Sequence, residues 1–120
     1  MATILTVDDS KVIRDLVEAV LKEHGHEVVT ANDGVEGLDA TRNQQFDMIL
    51  SDINMPNMTG ISMVSKVRRL EGYEHIPIIM LTTESSSFKK DKAKKMGATG
   101  WLQKPFDPDR LMKAVNKFVG

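Results

Sequence analysis

Two spacings of apolar residues alternate along this chain. Short runs of nearly continuous apolar character, Ile4-Leu5-Thr6-Val7, Met48-Ile49-Leu50-Ser51 and Ile78-Ile79-Met80-Leu81, read as strands buried on both faces. Residues 27–31 are more polar and suit a sheet edge, and Trp101-Leu102-Gln103 supplies a short fifth strand. Between the runs the period becomes that of a helix. Residues 11–24 place Val12, Ile13, Leu16, Val17, Val20 and Leu21 on one stripe, with Ser10 as N-cap and Gly25 as the stop. A second helix runs from 34 to about 44 despite Gly37, which costs about 1 kcal/mol relative to Ala in a helix interior. A third, 60–70, points Ile61, Val64, Val67 and Leu70 inward. The fourth, 86–96, is the weakest, with only Phe88, Ala93 and Met96 as its stripe. The last, 109–119, buries Leu111, Met112, Val115, Phe118 and Val119, capped by Asp107 or Asp109.

Strands that alternate with helices must run parallel, and helices must cover both faces of their sheet. The predicted fold class is α/β, a doubly wound five-stranded parallel sheet. In such sheets the ligand crevice lies at the C-terminal strand ends, where strand order reverses. The second strand alone has no candidate functional residue at that end. An order 2-1-3-4-5 puts it at the edge and gathers the other four ends. At 120 residues, 41% hydrophobic and 28% charged, the chain fits one domain over 1–120 that buries a core without staples. The lack of cysteine excludes a disulfide framework or thiolate metal site and fits a reducing, cytoplasmic setting. The first apolar run is too short for a signal peptide or a membrane span. A net charge of −1 speaks against a nucleic-acid partner.

Chemistry-bearing residues follow four of the runs: Asp8 and Asp9 the first, then Asp52, Thr82 and Lys104. Neighbouring strands lie about 4.8 Å apart, so the three carboxylates come within reach of one ion. A carboxylate pair about 4 Å apart, at an effective dielectric of about 20, costs about 4 kcal/mol. Lys104 alone does not offset that. A hard, oxygen-only site with few protein ligands and room for water and phosphate is what Mg²⁺ prefers.

Val7-Asp8-Asp9-Ser10, Ser51-Asp52-Ile53-Asn54-Met55-Pro56-Asn57-Met58-Thr59-Gly60, Leu81-Thr82-Thr83-Glu84 and Lys104-Pro105-Phe106 resemble the receiver domains of two-component response regulators. The likeness extends over essentially the whole chain, in order, spacing and strand placement, and is nearest to the stand-alone chemotaxis receivers. It implies a flavodoxin-like fold with the order given above. It also implies a phosphorylation-activated switch that catalyses only its own phosphorylation and dephosphorylation.

On that resemblance Asp52 accepts a phosphoryl group from a histidine kinase. Asp9 and Asp52 ligate Mg²⁺ directly, Asp8 acts partly through water, and Asn54 offers its backbone carbonyl. Thr82, with Thr83 as its rival, donates a hydroxyl to a phosphoryl oxygen. Lys104 pairs with Asp52 before phosphorylation and with the phosphoryl group after it. Thr82 and Trp101 form the switch, Trp101 standing where the family more often has Tyr or Phe. Asn54 and Glu84 tune dephosphorylation, the bond before Pro105 is cis, and Thr59 replaces the usual Asp. The implied partners are a chemotaxis kinase and an output protein such as the flagellar motor switch. The chain is expected to act as a monomer without direct nucleic-acid or membrane binding.

The remaining features are less specific. Lys89, Lys90, Lys92, Lys94 and Lys95, relieved only by Asp91, read as a solvated helix face or as steering for an acidic partner. His24 and His26 are too few for a metal site, and Met55 and Met58 read as loop packing. A haloacid-dehalogenase-like phosphatase would need Asp-x-Asp after the first strand, and an FMN-binding domain a Ser/Thr/Gly-rich loop there. No DNA-binding or enzymatic output domain follows the fifth helix. Output is therefore by direct protein contact, or the chain is an excised domain of either a chemotaxis or another two-component system.

Overall fold

The structure, a computed structural model, describes residues 1–83 and 87–119. Strands β1 (Thr3–Val7), β2 (Glu27–Ala31), β3 (Met48–Asp52), β4 (Ile78–Thr82) and β5 (Gly100–Gln103) alternate with helices α1 (Lys11–Glu23), α2 (Gly34–Asn43), α3 (Gly60–Val67), α4 (Ser87–Lys95) and α5 (Pro108–Val119). All strand pairs are parallel, in the order β2-β1-β3-β4-β5. The α/β fold and strand order are as predicted.

Side chains alternate between two apolar layers, as a pleated sheet requires. Leu5, Ile49, Ile78 and Met80 meet Leu38 of α2, Met63 and Val64 of α3 and Ala93 of α4. Ile4, Met48, Leu50, Ile79 and Leu81 meet Val17 and Leu21 of α1 and Leu111 and Val115 of α5. Full burial of such a side chain stabilises the fold by roughly 1.5–3 kcal/mol, so the two layers fix the sheet and the strand ends.

Local signals hold well at the caps. Ser10 Oγ accepts the Ile13 N–H, Asp107 Oδ1 accepts the Arg110 N–H, and Gly25 has φ +86°. Gly37 has a packing reason: a Cβ there would lie 2.7 Å from Met63 Sδ and 2.9 Å from Val7 Cγ2. Its absence lets α2 lie close to β1 and α3.

Other expectations fail for physical reasons. Val12 is 76% exposed, because it stands about 100° round the helix from Ile13 and off the core-facing stripe. Helix α3 stops at Val67, and Arg69 and Leu70 tighten into i→i−3 bonds, with Leu70 still packing on the core. Phe88 and Phe118 lie outside: α4 buries only Ala93, and α5 only Leu111, Met112 and Val115. The predicted first residue of the fourth helix, Ser86, lies outside the described residues.

Candidate functional site

Strand register builds the site. Val7 pairs with Ser51, so the next residues, Asp8 and Asp52, stand abreast at the ends of β1 and β3. Thr82 pairs with Gln103, which places Lys104 one residue past the end of β5, where its N–H donates to the Thr82 carbonyl (2.8 Å). From there Lys104 reaches back across the ends of β4 and β3. Its Nζ lies 2.7 Å from Asp8 Oδ2 and 3.4 Å from Asp52 Oδ2. The Lys104–Pro105 bond is cis.

Pairing of Lys104 with Asp52 was expected; its closer partner is Asp8. Asp8 is fully buried, and it also accepts the Ser10 N–H on Oδ1 (2.9 Å). The Arg14 guanidinium holds its carbonyl at 2.8 Å. Asp52 is nearly buried and turns Oδ1 to the Ile53 N–H (2.8 Å). Asp9 is exposed, yet one carboxylate oxygen from each of Asp8, Asp9 and Asp52 lies within 4.8 Å of the other two.

Three carboxylates facing one ammonium form a hard oxygen donor set with surplus negative charge, which fits a divalent cation of the Mg²⁺ kind. The field agrees: burial pushes the Asp52 carboxyl above the usual carboxylate range, the charge of Asp8 adds to this, and Lys104 and the Ile53 N–H oppose it.

The other expected residues are less tightly gathered. Thr82 is buried at the last position of β4, whereas its rival Thr83 is exposed just beyond. Asn54 is exposed on the β3–α3 loop, and Glu84 lies outside the described residues. Trp101 is 43% exposed, with Lys90 Nζ 4.9 Å from its ring centroid. Thr59 caps α3, accepting the Ser62 N–H (3.2 Å), which an Asp would do equally. His24 Nδ1 lies 2.9 Å from the Val20 carbonyl and His26 Nδ1 accepts the Ala2 N–H, so each has a local structural role.

Sequence reasoning missed how the β3–α3 loop is held. Asp33 caps α2 through the Glu36 N–H (2.9 Å) and accepts from Asn57 Nδ2 (2.7 Å). Asn57 has φ +68°, which Asn tolerates better than most residues. Gly60 donates its N–H to the Ile53 carbonyl (2.8 Å), and a Cβ on it would collide with the Asp52 carbonyl oxygen. The Asp33–Glu36 spacing is a capping signature and was the available clue. The Asn57 and Gly60 contacts have no local signature.

In a parallel sheet of this order the ligand crevice lies outside the C-terminal strand ends at the switch point, and here the acidic cluster and Lys104 stand at that place. The chain belongs to the response regulator receiver domains, whose family model matches residues 4–116. It is 38% identical over 119 residues to a chemotaxis protein CheY homolog of Campylobacter jejuni, covering 98% of this chain and 92% of that protein. It superposes on chemotaxis response regulator CheY4 of Vibrio cholerae with a TM-score of 0.95 at 49% identity, covering 98% of both chains. A third likeness is to the receiver domain of a Pseudomonas aeruginosa sensor histidine kinase, solved with a magnesium ion in its active-site cleft. It gives a TM-score of 0.91 at 28% identity, over 99% of this chain and 98% of that one.

Membership makes the chain a signalling module of the phosphorylation-switched kind, with a histidine kinase as phosphodonor and an output target. Among the described residues no helix is long and apolar enough to cross a membrane.

Proposed function

We propose that this chain is a chemotaxis receiver in which Asp52 accepts the phosphoryl group, with Asp8, Asp9, Asp52 and the Asn54 carbonyl holding Mg²⁺. The observation that carries this is the convergence of three carboxylates and the Lys104 ammonium on adjoining strand ends.

Asp52 Oδ1 is occupied by the Ile53 N–H, so Oδ2 is the attacking atom. It bonds to phosphorus as the bond from phosphorus to the kinase's histidine nitrogen breaks, the electron pair leaving with the imidazole, which takes up a proton. The product is an acyl phosphate. Bound Mg²⁺ supplies charge neutralisation for the incoming phosphoryl oxygens. Lys104, 3.4 Å from Oδ2, pairs with one of those oxygens once the bond has formed, and the Thr82 hydroxyl donates to another. Asn54 and, on the family resemblance, Glu84 set how readily water reaches the acyl phosphate.

Thr82 and Trp101 carry the change to the surface of α4 and β5, whose lysines favour an acidic partner such as the flagellar motor switch. The chain works as a cytoplasmic monomer in this scheme.

The test is labelling with acetyl phosphate and Mg²⁺, read by intact mass. One phosphoryl group should be added to the native chain and none to Asp52→Asn; full labelling of Asp52→Asn overturns the assignment. The chemotaxis role requires tighter binding to a flagellar motor switch protein after phosphorylation, and equal affinity before and after would refute it.

A further inference from the structure

Helix α4 leaves an apolar and cationic groove on the side that faces α3, away from β5. The groove encloses about 430 Å³. Its apolar lining includes Ile53, Ile61 of α3, Phe88 of α4 and Met96 just beyond α4, and Lys89 and Lys92 stand among them. Phe88 is 75% exposed and Met96 40%, so two large apolar side chains face solvent together. Scattered exposed apolar residues need no explanation, but a concave group rimmed by one sign of charge marks a binding surface. The α3 wall adds the hydroxyls of Ser62 and Ser65, and Asn54, two residues from Asp52, also lines the groove.

We propose that this groove docks an acidic amphipathic helix of a partner protein. Apolar residues one turn apart on such a helix would cover Phe88, Met96 and Ile61, and its flanking carboxylates would meet Lys89 and Lys92. Charge complementarity selects this occupant. Helix α4 carries five lysines against one aspartate, so an acidic segment is drawn in and a basic one repelled. A second copy of this chain is a poor occupant, because its own α4 would bring like charge to the contact. The groove is separate from the β5–α5 side, where Trp101, Lys113 and Phe118 line another concavity.

The test uses the full chain, isotopically labelled for NMR, and a synthetic Glu-rich helical peptide with leucines at i, i+4 and i+7. Two control peptides replace the leucines with serine or the glutamates with lysine. Shifts should centre on Ile61, Phe88 and Met96. Phe88→Ser and Lys92→Glu, both at exposed positions, should each weaken binding by about tenfold. Lys113→Glu should leave it unchanged. Shifts centred on Trp101 and Phe118, equal binding of the serine or lysine peptide, or no binding would each overturn the proposal.

Discussion

Strands β3 and β5 lie two places apart in one sheet and are built to different standards. Every residue of β3 is buried, and its companion α3 buries Gly60, Met63, Val64 and Val67. In β5 only Leu102 is buried, and the neighbouring α4 buries only Ala93. The first pair fixes Asp52 in place. The second holds Lys104, Trp101 and the lysine-rich helix on few apolar contacts, which is the physical signature of low local stability. The molecule thus keeps the Asp52 end of its acidic cluster on a firm floor and its outward surface on a loose one. A switch needs both, since a site must be preorganised while the surface it controls must have a second arrangement within reach.

Core truncation should expose this contrast most strongly. Leu50→Ala in β3 is expected to cost about 2–5 kcal/mol and Phe88→Ala in α4 less than about 0.5 kcal/mol. Comparable losses for the two in urea denaturation would erase the distinction. Metal is expected to act on the firm side. Mg²⁺ at about 100 times its Kd should raise stability by about 2.7 kcal/mol, because it relieves carboxylate repulsion found only in the folded cluster. Asp9→Ala should remove most of that shift in Tm, and an unaltered shift would exclude Asp9 as a ligand.

Arg68 sharpens the comparison. Its guanidinium donates to the carbonyls of Tyr73 (3.0 Å) and Gly97 (2.7 Å), tying the residues beyond the end of α4 to α3. Arg68→Ala is expected to cost about 1.5–3 kcal/mol and to speed hydrogen exchange around residues 96–99 far more than in β3. Uniform acceleration would show that the tie is global.

Asp33→Ala should cost about 1 kcal/mol through the lost cap. The Glu36 N–H first, then Asn57, hold the Asp33 carboxyl below the usual range. Its contribution is therefore complete above the ordinary Asp pKa and fades as pH falls through the depressed native value. The substitution should flatten the acid side of the stability profile, and an unchanged acid side would rule out Asp33 as its source. A smaller effect than that of Asp33 concerns Lys90, whose contact with Trp101 is worth about 0.5–1 kcal/mol at an exposed site. Lys90→Ala should alter Trp101 emission with little change in Tm. If Trp101 is the switch, phosphorylation at saturating Mg²⁺ should also shift that emission, and Thr82→Ala should suppress the response. Identical spectra in both states would make the ring mere packing.

What was legible in the sequence follows from range. Runs such as Ile78 to Leu81 and caps such as Ser10 are signals over a few residues, so strands and helices could be read directly, while strand order rested on which strand ends carry candidate functional residues and on the family resemblance. The acidic cluster was legible too, because Asp8, Asp9 and Asp52 each mark a strand end. The closer pairing of Lys104 with Asp8 was not, since it depends on how far a side chain reaches over two intervening strands. The exposure of Phe88 was hidden for a related reason. A helical stripe says which residues share a side, whereas burial requires something opposite, and at α4 only the Ala93 position meets the core.

Gly60 offers no atom to the chemistry, only the space its missing side chain leaves against the carbonyl of Asp52. A genetic screen would meet that fact in disguise. A substitution such as Gly60→Val would score as a signalling-dead allele while every carboxylate, the lysine and the threonine stayed intact. It would be sorted with Asp52 mutants by phenotype, and only a structure or a melting curve would separate a displaced aspartate from a missing one.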